Sequence, residues 1–523
     1  MHCVIGSGPA GVACAKALLA RGVTVLMLDA GLELEPDRTR IVRELASLKP
    51  SEWPPEHVSK LKEGMAADAN GILLKLIFGS DFPYRETENQ IPWQSHGVDI
   101  HPSLALGGLS NTWGASMLPY CDADIAGWPI KVRDLEPHYR AVANITNLAG
   151  QSDDLAERFP LYRDDAHPVP ASRQANLLLS RLDRHRAHFH KRGWRFGRAR
   201  VAIRAVDSDS GIGCIRCGFC MYGCPYGCIY NSADTLRELR GDSRFTYQRD
   251  VIVTRLRENS GGVIIEARQR RTGEPLSFEA NRAYLAAGVI PTAQILLRSL
   301  SAYDRPLRLR DSQYFLLPLV MARRTAGVAA EALYTLSQLF IEICNPQISR
   351  HTVHLQLYTY SDLIGQAVRK SLGPLKFLGR PLEERMMIVQ GFLHSDESPT
   401  IEMTLQRTSQ EGHDCLHLNP EPNPEAHLTV KRVVRELLRQ SPRLGGMILP
   451  PMLQMAKPGR SFHSGGSLPM RQQPGPMESD CLGRPQGWKH LHVVDASVLP
   501  SVPATTITFS VMANAHRIGW ETA

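Results

Sequence analysis

Four thiols stand at Cys214, Cys217, Cys220 and Cys224, and Pro225 follows at once. The run reads C-x2-C-x2-C-x3-C-P, the spacing of bacterial ferredoxins. Cys228 adds a fifth thiol, and Gly213, Gly218, Gly223 and Gly227 leave the backbone free to fold round a compact core and turn amides toward sulfur. Such a loop predicts an iron–sulfur cluster, a 4Fe-4S centre first. With no second run in the chain, either Cys224 or Cys228 completes the ligand set. A three-iron cluster, a four-thiolate zinc and a plain loop of reduced thiols are the alternatives. Zinc sites usually pair two separated C-x2-C knuckles, so the spacing favours iron. Cys3, Cys14, Cys121, Cys344, Cys415 and Cys481 are scattered and read as free buried thiols.

A second constellation opens the chain. Gly6, Gly8 and Gly11 fill a G-x-G-x-x-G pattern directly after the apolar Val4 and Ile5. Val12 to Leu19 reads as a helix, and Val23 to Leu28 as a buried strand ending at Asp29. In this order the glycines, with Pro9 and Ala10 between them, allow a tight turn and close approach of backbone to a pyrophosphate at the helix N-terminus. Asp29, 18 residues beyond Gly11, is placed to bond ribose hydroxyls. The pattern predicts a Rossmann-like dinucleotide site and does not separate FAD from NAD.

Toward the other end come Phe462-His463-Ser464-Gly465-Gly466-Ser467 and His492-Val493-Val494-Asp495-Ala496-Ser497. Pro503-Ala504-Thr505-Thr506-Ile507-Thr508 then leads into a helix from Phe509 to Gly519. This order resembles the glucose–methanol–choline (GMC) family of FAD-dependent alcohol oxidoreductases. Leu285-Ala286-Ala287-Gly288 through Leu296-Leu297-Arg298-Ser299 resembles the family's mid-chain signature. Leu106-Gly107-Gly108-Leu109-Ser110-Asn111-Thr112-Trp113-Gly114 resembles its early flavin loop, in the form seen in pyranose oxidases. The likeness is spread from residue 4 to residue 517.

The resemblance implies FAD, bound by Gly6, Gly8, Pro9, Ala10, Gly11, Asp29, Gly107, Gly108, Ser110, Asn111, Trp113, Ala287, Asp495 and Ala496. Val251 or Val253 would touch adenine through backbone atoms. It also implies that His463 is the catalytic base, a role that suits an imidazole titrating near neutrality. The family's second catalytic residue, His or Asn, has no match here. Aligning on Arg517 puts Thr506 in its place and aligning on Pro503 puts Val502 there, so Thr505 or Thr506 is the candidate partner. Thr112 stands where pyranose oxidases carry the His that binds FAD covalently, which predicts non-covalent FAD.

Positioning these groups calls for an α/β chain (α+β overall) of GMC type. The expected FAD-binding domain is discontinuous, over 1–35, 100–120, 225–310 and 460–523. A substrate domain on an antiparallel sheet would take 36–99, 121–205 and 311–459, and 206–230 the cysteine loop. Thr352 to Tyr360 and Met386 to Leu393 have the β-rich pattern expected of that sheet. With 523 residues the chain exceeds the usual size of one domain. Apolar residues at 43% and charged residues at 21% exclude general disorder. The longest apolar stretch, around Tyr314 to Ala322, is too short to cross a membrane.

Sixty basic against 52 acidic residues give a net charge of +8, no sign of a nucleic-acid partner. The excess gathers between Arg181 and Arg204. It reads as a docking face for an acidic electron carrier, a site for an anionic substrate, or a solvated helix face. Trp194 and Phe196 interleave with it, but no nucleic-acid fold accompanies them. Leu363 to Leu382, broken by Gly373, Pro374, Gly379 and Pro381, reads as a surface loop near the substrate entrance. Met1 to Ile5 lead straight into the glycine pattern without a signal sequence, which predicts a cytoplasmic protein lacking structural disulfides.

The expected activity is that of an FAD-dependent dehydrogenase. It would oxidise a CH–OH group of a sugar, polyol or glycosylated metabolite and pass electrons through the cluster to an external acceptor. An oxidase that uses O2 directly, with a structural cluster, is one alternative. An electron-transfer or redox-sensing flavoprotein without its own alcohol substrate is another.

Overall fold

The computed structural model describes residues 1–64, 72–208, 211–372, 379–407 and 414–523. Cys3, Val4 and Ile5 of strand His2–Ile5 and all of Val25–Leu28 are buried, as strands covered on both faces must be. They pair in parallel, Cys3 with Leu26 and Ile5 with Leu28. Arg282–Leu285 and then Leu491–Val493 extend the sheet on one side, and Phe245–Gln248 on the other. Every pairing in it is parallel. One sheet thus draws on the beginning, middle and end of the chain, the interleaving expected of this fold class.

Helix Pro9–Ala20 starts three residues before the anticipated Val12, because proline is at home in a first helical turn where its missing N–H is not needed. The second strand starts at Val25 because the Val23 amide is spent on the Leu18 carbonyl at the end of that helix. The last helix, Ile507–Glu521, packs on Pro9–Ala20 so closely that a Cβ on Gly519 would stand 2.8 Å from the Cys14 carbonyl oxygen.

A second, antiparallel sheet faces the first across a cavity. Its order is Gly446–Ile448, Tyr314–Met321, Met386–Phe392, Val353–Tyr358, Leu339–Ile343 and Trp194–Arg198, with Gln454–Met455 also paired to Tyr314–Met321. The expected strands at 352–360 and 386–393 lie side by side, Gln356 opposite Gln390. Period-two alternation divides the residues. Phe315, Leu317, Leu319, Leu355, Leu357, Met387 and Val389 enter a core with helices Arg173–Arg184 and Pro424–Leu444. Leu316, Gln356, Tyr358, Ile388, Gln390 and Phe392 point the other way, into the cavity.

A third, mixed sheet runs Ser464–Gly465, Leu307–Asp311, Thr400–Gln406, Cys415–Glu421 and Trp93–Ser95. Its second strand straddles the anticipated boundary at 310, because Arg310 pairs with Gly465 while Leu307 pairs with Met403. Among the described residues no helix is long and apolar enough to cross a membrane.

One expectation changes. Asp362–Leu372 is a helix, not a loop, and Leu363, Ile364, Ala367 and Val368 on one of its faces line the cavity. The anticipated breakers Gly373 and Pro374 lie outside the described residues. In the basic stretch, part of the charge is engaged within the chain. Arg192 pairs with Glu436 at 2.6 Å, Arg186 with Asp183 at 2.5 Å, and His190 with Asp154 at 2.7 Å. Arg200 is buried beside Asp153. Trp194–Arg198 is a sheet edge whose outer amides at Phe196 and Arg198 bond Asp154 and Asp153.

Candidate functional site

The cavity between the two sheets encloses about 670 Å³, within the usual range for a small-molecule site. It lies at the carboxyl ends of the parallel strands, where open α/β sheets bind ligands. Its nucleotide side is built by glycines with distinct tasks. A Cβ on Gly11 would stand 1.9 Å from the Gly6 carbonyl oxygen, and one on Gly6 would stand 2.5 Å from the Ala286 oxygen. Both permit close packing of turn, helix and sheet. At Gly8 nothing lies within 4 Å of the added carbon, and the residue lines the cavity. Gly8 is also the N-cap of Pro9–Ala20, with no side chain capping the helix amides. Open space in front of free helix amides is what a pyrophosphate needs, so these residues fit FAD. Gly8→Val is expected to weaken FAD retention roughly tenfold or more, measured as flavin per protein after gel filtration.

Asp29 also reaches the cavity. It accepts from the Ser7 amide at 3.1 Å, the Ser7 hydroxyl at 2.8 Å and the Tyr247 hydroxyl at 3.1 Å. Burial pushes its pKa up to about 6 against the pull of those bonds. The Gly107 amide donates to the same Ser7 hydroxyl at 3.0 Å, which ties the flavin loop to the glycine turn.

Of the residues expected at the cofactor, Gly6, Gly8, Pro9, Ala10, Asp29, Gly108, Ser110, Trp113, Ala287, Asp495 and Ala496 line the cavity. Gly11, Gly107, Asn111 and Val251 stand behind the wall instead. Asn111 donates to the carbonyls of Leu106 and Gly108, which shapes the loop from inside. The Val251 amide is engaged by the Asp29 carbonyl at 3.0 Å. Asp495 accepts from the Gly288 amide at 2.9 Å and the Thr292 hydroxyl at 2.6 Å, capping the mid-chain helix Val289–Ser299.

His463 projects into the cavity opposite the glycine turn, its ring stacked on Phe392 with centroids 4.6 Å apart. Its Nδ1 has no hydrogen-bond partner among the described residues. Burial, then the nearby His354, drives its pKa down to about 3, so the ring is neutral instead of titrating near neutrality as expected. The turn that carries it is clamped by Asp311, which accepts from Ser461 at 2.9 Å, Ser464 at 2.8 Å and the Gly459 amide at 2.8 Å. Asp311 was not legible as a site residue, since nothing local joins it to residues about 150 positions away. Gln356, Tyr358 and Gln390, which face the same space, were equally hidden.

The two threonines separate. Thr506 lines the cavity and accepts the Leu118 amide at 2.7 Å, which leaves its hydroxyl hydrogen free to be donated. Thr505 is fully buried, is not among the residues lining the cavity, and its hydroxyl has no hydrogen-bond partner among the described residues.

All eleven cysteines are free, and five of them, Cys214, Cys217, Cys220, Cys224 and Cys228, surround one small hollow closed by Ile203, Tyr226 and Ile229. Backbone amides aim at the sulfurs. The Cys228 amide donates to Cys224 at 3.2 Å and the Thr335 amide to Cys220 at 3.5 Å, while those of Arg216 and Phe219 serve Cys214 and Cys217. Positive φ at Arg216 (57°), Gly218 (77°), Gly223 (123°) and Gly227 (61°) turns them inward. Burial pushes Cys214 and Cys217 up to about 12, whereas the hydrogen bond from Cys228 holds Cys224 down at about 6.

No three of these sulfurs lie within 4.8 Å of one another among the described residues. Tetrahedral zinc would need sulfurs about 3.8 Å apart, from a Zn–S distance of about 2.3 Å. The hollow adjoins the main cavity, since Met221 of the cysteine loop and Thr335, whose amide bonds Cys220, line the cavity. His351, His394 and Asp396 form another close trio. Its two rings are stacked parallel 3.7 Å apart, so their nitrogen lone pairs do not converge on one ion.

Residues 403–515 match the family described as GMC oxidoreductase. A curated relative, the 6'''-hydroxyparomomycin C oxidase of Streptomyces lividus, is 25% identical over 319 residues, covering 58% of this chain and 50% of its own. The chain thus spans about half the length of the curated relative it matches. Pyridoxine 4-oxidase from Mesorbium loti superposes with a TM-score of 0.60 over 99% of this chain and 98% of its own, at 16% identity, a likeness of fold.

Proposed function

This chain carries the C-terminal segment of the GMC oxidoreductases and takes their fold along its length, and from that premise we propose that it is an FAD-dependent dehydrogenase of CH–OH groups. The observation that carries this reading is His463, a neutral imidazole on the wall of the cavity that the open glycine turn also lines. FAD, held non-covalently by the glycine turn, Asp29 and the 107–114 loop, supplies the hydride acceptor. His463 takes the hydroxyl proton as hydride leaves carbon. Asp311 holds the His463 turn, and Gln356, Gln390, Tyr358 and Thr506 orient the alcohol. The substrate is a sugar, polyol or glycosylated metabolite, in keeping with the hydroxylated compounds in the names of the matched proteins.

The cysteine hollow holds an iron–sulfur cluster in this proposal, supported by the ferredoxin spacing, the amides aimed at sulfur and sulfur separations wider than zinc requires. A cluster supplies one-electron transfer, and its place against the cavity suits release of electrons to an external acceptor. Free thiols throughout suit a reducing, cytoplasmic compartment. The division of the chain follows the sheets: the parallel sheet with the FAD loops, the antiparallel sheet with the cap, and the cysteine loop between them.

An anaerobic screen of alcohols and sugars for flavin bleaching, with iron and sulfide analysis of the same sample, tests the whole reading. After acid denaturation the yellow colour is expected in the supernatant, and a yellow pellet would refute non-covalent FAD. A second reading is favoured by the names of both matched proteins, which are oxidases. In that case air reoxidises the reduced flavin rapidly and the cluster is structural. Slow reoxidation in air and fast reoxidation by a one-electron acceptor support the dehydrogenase.

A further inference from the structure

His354, Gln356 and Tyr358 follow one another at every second position of strand Val353–Tyr358, on the face turned to the cavity. Gln356 and Tyr358 line the cavity itself. His354 is fully buried, and so is Glu342, its partner in register on the neighbouring strand. The Glu342 carboxylate meets His354 Nδ1 at 2.5 Å. Phe340 closes on the imidazole edge-on, with centroids 5.0 Å apart, and Phe392, which also carries His463, lies along it at 6.0 Å. A buried pair of this kind gives little stability over apolar residues of the same volume, so its use lies in what it orients. Hydrogen bonds run from it along the strand. His354 Nε2 stands 3.1 Å from Gln356 Nε2, and the Gln356 carbonyl oxygen accepts from Tyr358 at 3.1 Å and from Ser116 at 3.2 Å.

The donor and acceptor inventory gives this chain one direction. A carboxylate only accepts, so the hydrogen facing Glu342 lies on Nδ1. An amide nitrogen only donates, so His354 Nε2 is bare and accepts from Gln356. Tyr358 then spends its single hydrogen on the Gln356 oxygen and turns a lone pair to the cavity. Burial pushes the phenol up, so it keeps that hydrogen. Its oxygen stands beside the flavin loop, 3.4 Å from where a Cβ on Gly114 would be. We infer that Glu342 and His354 are positioning residues that fix Tyr358 as a hydrogen-bond acceptor, so that the site selects an alcohol with a second hydroxyl to donate to it. The inference rests on the CH–OH dehydrogenase reading. Thr506, whose hydrogen is free, is the matching donor. A deoxy or methylated analogue brings no hydrogen to Tyr358 and leaves its oxygen unpaired.

Heteronuclear NMR of the holoenzyme with nitrogen-labelled histidine, at neutral pH, tests the chain directly, the His354 signals being those lost in His354→Gln. Nδ1 is expected to carry the hydrogen and Nε2 none. A doubly protonated ring or the opposite tautomer overturns the inference and leaves the dehydrogenase reading intact. The second arm is anaerobic flavin bleaching by D-glucose, methyl β-D-glucopyranoside and myo-inositol, each against its mono-O-methyl and monodeoxy derivatives. Wild type is expected to favour the parent over both derivatives at one position by about tenfold in kcat/KM. Tyr358→Phe is expected to lose that preference. Glu342→Leu is expected to lose it too and to add nothing in the double variant, because both changes act on the same hydrogen bond. Wild-type preference in Glu342→Leu, or a further loss in the double variant, overturns the inference. If Glu342→Leu does not fold, the tautomer and Tyr358→Phe decide. Wild-type flavin that none of these compounds bleaches removes the sugar and polyol reading, and the tautomer still decides the direction of the chain.

Discussion

His463→Ala is expected to retain FAD and to lose alcohol-driven flavin reduction by about 10²- to 10⁴-fold in rate, the usual contribution of a positioned general base. The reason is geometric. The imidazole lines the cavity, is held against Phe392 by ring stacking, and its turn is clamped by Asp311. The other imidazole at the wall on that side, His101, is already engaged by Asp99 at 2.7 Å and by Arg460. His354 lies behind Phe392, fully buried, and is bonded to Glu342 at 2.5 Å. The measurement is a stopped-flow anaerobic half-reaction at saturating substrate. A variant that still bleaches flavin at the wild-type rate would remove His463 from the chemistry. A protein that no alcohol bleaches, and whose His463→Ala variant still passes electrons between external donors and acceptors, would be the electron-transfer flavoprotein.

The second large effect concerns the cysteine loop. Cys224→Ser is expected to lose iron and sulfide, while Cys228→Ser keeps them. Both thiols line the hollow, but their settings differ. Cys224 accepts the Cys228 amide at 3.2 Å, whereas the Cys228 sulfur lies against the carbonyl oxygens of Ile212 at 3.5 Å and Tyr226 at 3.9 Å. A ligand sulfur accepts amide hydrogens, and a thiol that donates to carbonyls does not serve as one. Cys224→Ser is also expected to bind FAD and bleach with substrate while losing fast transfer to a one-electron acceptor. Iron and sulfide analysis with the same half-reaction decides it, and equal loss of iron from both variants would make Cys228 indispensable as well.

Much of this was legible in the chain because its signals are local. A G-x-G-x-x-G turn, a helix N-terminus and an acid at the end of the next strand are one stretch of backbone, and Gly8 stands where that grammar puts it. The same holds for the cysteine spacing, since amides two residues on from Cys214 and Cys217 turn inward within the loop itself. Helix starts and strand starts moved by two or three residues, as at Pro9 and Val25, where a proline and a spent amide settled the boundary. In the basic stretch, composition counts charges without showing that Asp153, Asp154 and Glu436 meet some of them in the fold.

By itself, then, the sequence determined a dinucleotide turn, a GMC-like order of motifs, one candidate base and a loop of ferredoxin-spaced thiols. Only the tertiary structure decided which groups face one another. Asp311 beneath His463, Thr335 against Cys220, and Thr506 rather than Thr505 at the wall arise from pairings between distant strands and loops. The polar group formed by Gln356, Tyr358 and Gln390 is of the same kind. The physical reason is that a sheet face and a cavity wall are assembled from segments a hundred or more residues apart. No local spacing encodes such a meeting until burial has brought the segments together.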